Sequence, residues 1–476
     1  MRLLYTSDSS IFFKTIQFSL HHYKYICSMS TKNSIHHISP IDGRYSSKTD
    51  SISKFFSEFA LIKSRVEVEI EYLIQLASLN LKGFKKFQDA EAASLRSIIE
   101  HFSESDALVV KDIESTTNHD VKAVEYFIKQ RADSIGINFN TEFIHFGLTS
   151  QDINNTAFPL MLKRYLEQNY LPHMKEIIHI LNAKSNEWKE VTLLAKTHGQ
   201  PASPTTLGKE IKVFADRLEK QLSLLENAEH GGKFGGATGN FNAHKVAYPE
   251  VNWVEFGNQF LDSLGLTRQQ YTTQIEHYDG MAHLLDTTKR IHTILIDLAR
   301  DIWSYVSYEV FTQKINKNET GSSAMPHKVN PIDFENAEGN LMFANAILEF
   351  LSSKLPISRL QRDLTDSTVL RNIGVPYGHF EVAFHSIVKG LGKLTINEMA
   401  IHQELENNWI VIAEAIQTIL RREGMEKPYE LLKDFSRTNK KPTKEDFHLF
   451  IDSLAVSDEV KLELKAISPQ NYIGYA

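Results

Sequence analysis

Three long stretches of this chain contain neither glycine nor proline. They span residues 44–82, 84–135 and 281–320. Because glycine and proline are the residues that most often end helices, uninterrupted stretches of this length favour helices longer than those of most globular proteins. At 476 residues the chain is also too long for a single hydrophobic core and suits two or three domains. The sequence therefore favours an all-α protein in which long helices pack side by side.

The last of these stretches carries a mainly apolar stripe. Its residues recur at alternating steps of four and three, which places them on one face of a helix, as in a bundle or a coiled coil. The stripe consists of Leu284, Thr288, Ile291, Leu295, Leu298, Ile302 and Tyr305. We interpret it as one face of a long core helix with no catalytic role of its own. Exposed seams on long helices often close by oligomerisation, so the pattern also favours association of several copies.

The overall charge limits the classes of function. The chain has 52 lysines and arginines against 59 aspartates and glutamates, which gives a net charge of -7. This balance argues against a dedicated nucleic-acid-binding protein, because such proteins usually present a basic face, but it is compatible with a local basic pocket for a small anion. The sequence contains no run of about 20 apolar residues, which is the length that a helix needs to cross a bilayer. The single cysteine, Cys27, cannot form an internal disulfide, which predicts a reducing compartment such as the cytoplasm.

The first 28 residues have a different character from the rest. An apolar run at residues 11–13 is interrupted by Lys14, and no small-residue cleavage site follows, so a secretory signal is not expected. A mitochondrial presequence is an alternative, since this stretch is poor in acids, but it is equally poor in arginine. We expect Met29 to be the true start and residues 1–28 to be a disordered leader or a misassigned start.

The most specific string in the sequence is GSSAMPHKVNP, from Gly321 to Pro331. Backbone amides beside Gly321 can point at an anion, Lys328 adds a positive charge and Asn330 adds a directed donor. Such a set suits a carboxylate whose negative charge grows while a proton is removed from the neighbouring carbon. A capped surface loop would have a similar composition. As a complete string, however, it resembles the loop of the fumarase/aspartase superfamily, whose lyases release fumarate.

Four further motifs resemble those of one family within this superfamily, the adenylosuccinate lyases. They are TNHD at 117–120, HFGLTS at 145–150, THGQP at 197–201 and RLQRDLTDSTVLRN at 359–372. The resemblance covers nearly the whole chain after the leader, and its longer motifs are similar to the bacterial branch of the family.

The resemblance implies a three-domain, all-α, fumarase/aspartase-like fold. An N-terminal helical domain would span residues 29–144, a central bundle of long helices would span residues 145–391, and a C-terminal helical domain would span residues 392–476. The bundle would associate into the helical core of a homotetramer with shared active sites. Composition does not mark these boundaries, so they depend on the resemblance alone.

The same resemblance implies β-elimination of fumarate from two purine precursors. Adenylosuccinate would give AMP, and the ribotide SAICAR would give AICAR. The reaction removes a proton from the carbon beside a carboxylate and donates a proton to the departing nitrogen. The first step creates a doubly charged aci-carboxylate, which fixed hydrogen-bond donors must stabilise. No cofactor is implied.

Three residues are assigned to the proton transfers by the resemblance. His198 would be the general acid, since histidine titrates near neutral pH, and Glu335 would orient its ring. His198 follows a predicted helix and precedes Gly-Gln-Pro, so we expect its ring to project from a helix end. Ser322 would be the general base, although a serine hydroxyl is a weak base without activation and chemistry alone favours a histidine.

Two further histidines and one helix start complete the predicted site. The resemblance implies that His119 helps to orient the substrate and that His145 contacts its phosphate, although a buried, hydrogen-bonded histidine is an ordinary alternative for each. Thr149 and Ser150 open a predicted helix, with Asp152 close behind. N-capping explains this pattern, and an anion can bind at the same helix start.

A nucleotide monophosphate also needs groups that bind phosphate. The resemblance assigns this role to guanidinium and hydroxyl groups that a fumarase or an aspartase does not need: Arg44, Tyr45, Arg362, Ser367 and Arg371. Surface charge is the usual role of any single arginine, so the prediction depends on the set. Further residues are assigned to substrate binding, of which Lys328 and His119 are also counted as catalytic: Asn118, His119, Asp120, Gln274, Ser323, Lys328, Val329, Asn330, Asn336, Thr368, Val369 and Leu370.

A glycine-rich segment at residues 231–240 invites a dinucleotide-binding or P-loop interpretation, which we reject. No strand is predicted before it, the chain has no βαβ alternation, and the GK[ST] pattern is missing. No metal site is predicted either, because the histidines lack acids or cysteines at ligand spacing.

Two alternative functions stay open. Another fumarate-releasing lyase, such as an argininosuccinate lyase, would share the fold and the loop. An inactive helical scaffold would be expected to have lost His198, Ser322, Lys328 or Glu335, yet all four positions carry the expected residue type. The predicted partners are therefore small-molecule substrates and further copies of the chain, with neither nucleic acid nor a membrane.

Overall fold

The computed structural model describes residues 34–314, 325, 328–437 and 441–476. The predicted leader and the expected start at Met29 lie outside these residues. The stretch 84–135 is divided into three helices of 12, 14 and 15 residues rather than the unusually long helix expected there, because Ser103 and His119 cap new helices without any glycine or proline. Helices nevertheless dominate the described chain, as predicted. Their bounds are α1 (Ser46–Phe56), α2 (Glu58–Ser78), α3 (Asp89–Glu100), α4 (Glu104–Thr117), α5 (Asp120–Ser134), α6 (Ser150–Tyr165), α7 (Leu171–Glu187), α8 (Leu207–Glu226), α9 (Asn242–Ala247), α10 (Trp253–Ser263), α11 (Asp279–Ser307), α12 (Ile332–Lys354), α13 (Thr365–Leu370), α14 (Gly374–Lys393), α15 (Glu398–Glu406), α16 (Ala413–Arg422), α17 (Pro428–Ser436), α18 (Lys444–Asp452) and α19 (Asp458–Lys465).

Short strands and single turns connect the helices. The antiparallel pairs are β1 (Thr192–Thr197) with β2 (Gln200–Thr206) and β5 (Phe311–Gln313) with β6 (Leu394–Ile396), whereas β3 (Gly231–Gly232) runs parallel to β4 (Thr267–Arg268). The 3₁₀ turns are Ser34–His36, Thr141–Phe143 and Trp409–Ile412, and a π-helical turn, Leu166–Tyr170, joins α6 to α7.

The predicted stripe forms one face of α11, which at 29 residues is a long helix. Every member of the stripe is buried except Tyr305, which is half-buried against the same core. The stripe therefore acts as predicted, because apolar residues at helical spacing remove a continuous surface from water.

Five helices form a closed bundle around this core. Helix α11 packs against α8 and α12, α12 packs against α14, and α14 packs against α7, which returns to α8. Each of the five helices thus has two neighbours in the bundle. No helix in the described part of the chain is both long and apolar enough to span a membrane.

A second hydrophobic core lies beside the bundle. It is built by the N-terminal helices α2 to α5 together with apolar residues between Phe234 and Leu266, such as Trp253 and Phe260. The glycine-rich segment and α10 lie in sequence between the bundle helices α8 and α11, but they pack on the N-terminal helices. The domain boundaries at residues 144 and 391 stay a prediction.

Candidate active site

Three of the predicted motifs meet at one pocket of about 330 Å³. The TNHD junction forms one wall, the first three turns of α6 form another, and the segment that leads into and through α13 forms the third. Three guanidinium groups and two carboxylates line the pocket, so its charged groups favour an anion. The lining residues are Arg65, Glu114, Asn118, His119, Asp120, Ser150, Asn154, Phe158, Arg362, Leu364, Ser367 and Arg371.

The TNHD motif turns the chain sharply between two helices. Asn118 ends α4 in the left-handed region, with a φ of 51°, and His119 caps the first turn of α5. The Nδ1 atom of His119 accepts a hydrogen bond of 3.1 Å from the backbone N–H of Lys122. A neutral ring therefore carries its proton on Nε2, which lies 3.5 Å from the hydroxyl of Ser150. His119 can thus present a donor to a ligand in the pocket.

Asp120 joins two arginines at the base of the pocket. Its carboxylate lies 2.8 Å from the guanidinium of Arg65 and 3.0 Å from that of Arg371. Burial opposes ionisation, but Arg65, the Val121 amide and Arg371 outweigh it and lower the pKa of Asp120. The carboxylate consequently stays charged and fixes the direction of Arg371, whose second nitrogen lies 3.4 Å from Glu58.

Arg362 is held by two other predicted ligand-binding residues. Its guanidinium donates to Ser367 at 3.1 Å and to the side-chain oxygen of Gln274 at 3.4 Å. Gln274 is fixed in turn by a bond of 3.1 Å from its side-chain nitrogen to the carbonyl of Ala237. Three residues from two distant segments are therefore connected, while the assignment of Arg362 and Ser367 to the phosphate stays a prediction.

The helix start at residues 149–152 is capped as predicted. Thr149 precedes the first residue of α6, and its backbone N–H donates to Asp152 at 2.8 Å in a capping box. Ser150 faces the pocket. The capping and anion-binding interpretations are therefore compatible, because the capped helix start also lines the pocket.

His145 lies outside the lining of this pocket. The ring is bonded to Glu69 at 2.5 Å, and Glu125 lies 3.9 Å from its other nitrogen. Burial lowers the pKa of His145, but Glu69 and Glu125 outweigh it and raise the pKa to about 9. The ring is therefore cationic at neutral pH, and its role as a phosphate contact stays a prediction.

The structure corrects the expected setting of His198. Instead of projecting from a helix end, His198 lies at the exposed tip of the β1–β2 hairpin, where Thr197 pairs with Gln200. His198 and Gly199 have φ values of 54° and 73°, as in the tight two-residue turns that suit twisted hairpins. The β-branched residues of the strands and the prolines at 201 and 204 disfavour a helix here. The helix expectation for this segment was wrong.

His198 makes no hydrogen bond to the rest of its own chain within the described residues. Its predicted partner, Glu335, instead accepts a bond of 3.0 Å from the indole N–H of Trp303. Within the described residues of one chain, His198 and Glu335 are therefore not in contact.

Several predicted residues lie apart from the pocket lining. Ser322 and Ser323 are outside the described residues. Arg44 lies over the ring of Tyr45, and the Tyr45 hydroxyl accepts a bond of 3.4 Å from Asn336. The remaining positions are an exposed Thr368, a half-buried Val369, a fully packed Leu370, and the loop residues Lys328, Val329 and Asn330.

A fully buried ion pair beneath the site was missed by the sequence reasoning. Lys233 donates to Asp152 at 2.7 Å, and neither side chain is exposed to solvent. The backbone N–H groups of Gly235 and Gly236 donate to the same carboxylate at 2.8 and 3.1 Å. The glycine-rich segment is thus a cradle for a carboxylate rather than for a phosphate. The available signal was that Lys233 is the one charged residue of segment 231–240.

A second missed residue, Glu276, lies next to the segment that presents Gln274. Its side chain is 1% exposed, and its carboxyl accepts a bond of 2.5 Å from the side chain of Gln269. Burial raises the pKa of Glu276 to about 7. The second carboxyl oxygen and the Gln269 amide oxygen are both buried without a partner in the described chain.

Glu276→Gln is therefore expected to stabilise the protein selectively at higher pH. The folded pKa is raised, so the favourable contribution of Glu276 is fully present below the unfolded value and is lost as the pH rises to about 7. The variant should gain about 2–3 kcal/mol relative to the parent between pH 4.5 and pH 8. Urea unfolding at both pH values measures this difference, and a gain that is equal at the two values would contradict it.

Two family models together match most of the chain. The family model described as "Lyase" matches residues 43–347, and the one described as "Adenylosuccinate lyase C-terminal" matches residues 358–473. The chain is 57% identical to the adenylosuccinate lyase of Dictyostelium discoideum over 93% of this chain and 97% of that protein. It is 49% identical to the adenylosuccinate lyase of Escherichia coli K12 over 92% of this chain and 96% of that protein.

Solved structures share the fold at low sequence identity. The fumarate lyase of a Mesorhizobium species aligns with a TM-score of 0.71 and 18% identity, covering 89% of this chain and 95% of that chain. The 3-carboxy-cis,cis-muconate lactonizing enzyme of Pseudomonas putida aligns with a TM-score of 0.70 and 17% identity, covering 89% and 94%. The fold and the matching family model define a lyase with a fumarase-like, all-α architecture. Given its curated relatives, the chain belongs to the adenylosuccinate lyase family.

Proposed function

We propose that this protein cleaves adenylosuccinate to AMP and fumarate, and SAICAR to AICAR and fumarate. The observation that carries this proposal is the meeting of three adenylosuccinate lyase motifs at one pocket whose guanidinium groups outnumber its carboxylates. Family membership supports the same reaction. An argininosuccinate lyase and an inactive scaffold are not favoured, since the curated relatives with this name match nearly the whole chain. The single cysteine supports a cytoplasmic location.

The chemistry follows from two proton transfers. The base, Ser322, removes a proton from the carbon beside a carboxylate, and the electron pair moves into the carboxylate. The returning pair forms the double bond of fumarate while the C–N bond breaks, and the acid, His198, protonates the departing nitrogen. Lys328 and Asn330 would stabilise the charged intermediate. The phosphate would lie with Arg362, Ser367 and Arg371.

An absorbance assay with three substrates tests the proposal directly. Adenylosuccinate and SAICAR should both be cleaved, and argininosuccinate should not. Cleavage of argininosuccinate alone would replace the proposal with the related lyase activity. Absence of turnover on all three, in a folded protein, would favour the scaffold interpretation.

The isolated chain supports a shared site. His198 projects from an exposed hairpin without a described partner in its own chain, while Glu335 is bonded to Trp303. Helix α12, which begins just before Glu335, exposes Met342, Phe343 and Phe350. Large exposed apolar side chains on a long bundle helix favour burial against another subunit. We infer a homotetramer in which His198 and Ser322 reach one site from different chains.

Mixing two inactive variants should therefore restore activity. His198→Ala and Ser322→Ala are combined, dissociated gently and allowed to reassemble. Random assembly leaves roughly a quarter of the sites with both groups intact, if those groups come from different subunits. Turnover is measured alongside native mass spectrometry, which verifies that mixed oligomers form. An inactive mixture that contains mixed oligomers would show that both groups act from one chain.

A further inference from the structure

The wall of the pocket that carries Ser367 depends on a buried carboxylate outside the predicted site. Asp366 is 2% exposed and lies beside Ser367 in α13. One oxygen of Asp366 accepts a bond of 2.8 Å from the hydroxyl of Tyr278 and a bond of 2.9 Å from the side chain of Gln151. Both donors come from elements distant in sequence.

These donors are themselves fixed by buried side chains of α6. The Tyr278 hydroxyl accepts a bond of 2.7 Å from Asn155. The side-chain oxygen of Gln151 accepts a bond of 2.8 Å from Asn154, which in turn accepts a bond of 2.9 Å from Arg65. A continuous set of hydrogen bonds therefore runs under the pocket from the Arg65–Asp120 pair to Asp366.

Helix α13 needs such an anchor. It has six residues, which is too short for a helix to be stable by its own hydrogen bonds. Ser367 belongs to this helix and is bonded to Arg362, which lies just before it, so the two side chains would move together if the helix shifted. The Gln151 side chain also lies 3.4 Å from the Ser367 hydroxyl, so it contacts both Asp366 and its neighbour.

We propose that Asp366, held by Tyr278 and Gln151, is a positioning residue that sets Arg362 and Ser367 for the phosphate of the nucleotide. The inference rests on the proposed function, because it assumes that these two groups bind the phosphate. Asp366 itself lies behind them and does not touch the ligand. Loss of the anchor should weaken binding at the phosphate end of the substrate and leave the fumarate end unchanged.

The test compares Tyr278→Phe with a matched control in the same protein. Tyr165 is also fully buried, and its hydroxyl donates at 2.9 Å to another buried carboxylate, that of Glu381, away from the pocket. Each substitution removes one hydroxyl from a buried tyrosine–carboxylate pair. The two variants should therefore lose comparable thermal stability. Asp366→Asn provides a second, shape-conserving variant if Tyr278→Phe folds poorly.

Product inhibition by AMP and by fumarate separates positioning from general stability. In Tyr278→Phe and Asp366→Asn, the inhibition constant of AMP should rise about tenfold. A loss of this size is expected when one hydrogen bond to the charged phosphate is weakened. The constant for fumarate should stay within about twofold, and the KM of adenylosuccinate should rise more than kcat falls. Tyr165→Phe should change neither inhibition constant.

Two outcomes would overturn the proposal. If the AMP constant of Tyr278→Phe and Asp366→Asn stays at the parent value, or if Tyr165→Phe changes it equally, Asp366 has only a structural role. Arg362→Met distinguishes this failure from a failure of the phosphate assignment. A normal AMP constant in Arg362→Met would remove the assumed phosphate site and the positioning role with it, whereas a weakened one with normal Tyr278→Phe would remove the positioning role alone.

Discussion

Ser322→Ala should lower kcat by about a thousandfold and change KM by only a few-fold. A general base acts on the proton that leaves in the transition state, so its removal affects the barrier to reaction far more than substrate binding. The string GSSAMPHKVNP, which contains Ser322, also contains Lys328 and Asn330, which would continue to bind the carboxylate. Steady-state absorbance kinetics measure turnover, and calorimetry measures the substrate affinity.

Ser323→Ala is the matched control for this experiment. It removes a hydroxyl from the next position in the sequence, to which the family resemblance assigns substrate binding rather than proton removal. Its KM should rise while its kcat stays within about tenfold of the parent. If Ser322→Ala kept its turnover within tenfold of the parent, the base would have to be another residue.

Lys233→Met should destabilise the protein by about 3–5 kcal/mol, because it leaves a buried carboxylate without its cation. Lys233 and Asp152 are both fully buried and 2.7 Å apart. Burial lowers the pKa of Lys233, and Asp152 opposes that shift, so the charged pair depends on both partners. The Lys233 ammonium also donates to the Gly236 carbonyl at 2.6 Å, and the substitution therefore releases the glycine-rich segment.

The destabilisation is measured by urea or thermal unfolding against Lys220→Met. Lys220 pairs with Asp216 at a similar distance of 2.6 Å, but both side chains are mostly exposed. Solvent-exposed pairs contribute little, so this control should unfold almost as the parent does. Adding Asp152→Asn to Lys233→Met should recover part of the lost stability, since it removes the unpaired charge. Equal effects of Lys233→Met and Lys220→Met would exclude a role for the buried pair.

The helical class, the long helix α11 and most of the pocket lining could be predicted because the information is local. Apolar residues at steps of three and four are a property of consecutive positions, and the stripe on α11 follows from them. The same holds for the cap at Thr149, which needs only the acid three residues later. The motifs around His119, Ser150 and Arg362 were identified as strings, and the fold brings them to one pocket.

The hairpin that carries His198 shows how a local prediction failed. Its flanking stretches were interpreted as helical, whereas β-branched residues and a His-Gly turn form paired strands there. The six- and seven-residue strands are stabilised by each other, and the periodicity of such short segments is ambiguous between helix and strand. The position of His198 at an exposed tip then depends on that pairing.

By itself, the sequence determined the helical class and the family, and it predicted the residues that would carry the proposed chemistry. Only the tertiary structure decided that Asp152 is neutralised by Lys233, 81 positions away, and that Asp366 is held by Tyr278 and Gln151. The reason is physical. Periodicity and capping depend on residues that are close in sequence. A buried charge instead needs a partner that is buried beside it, and only the packing of distant segments decides which side chain that is.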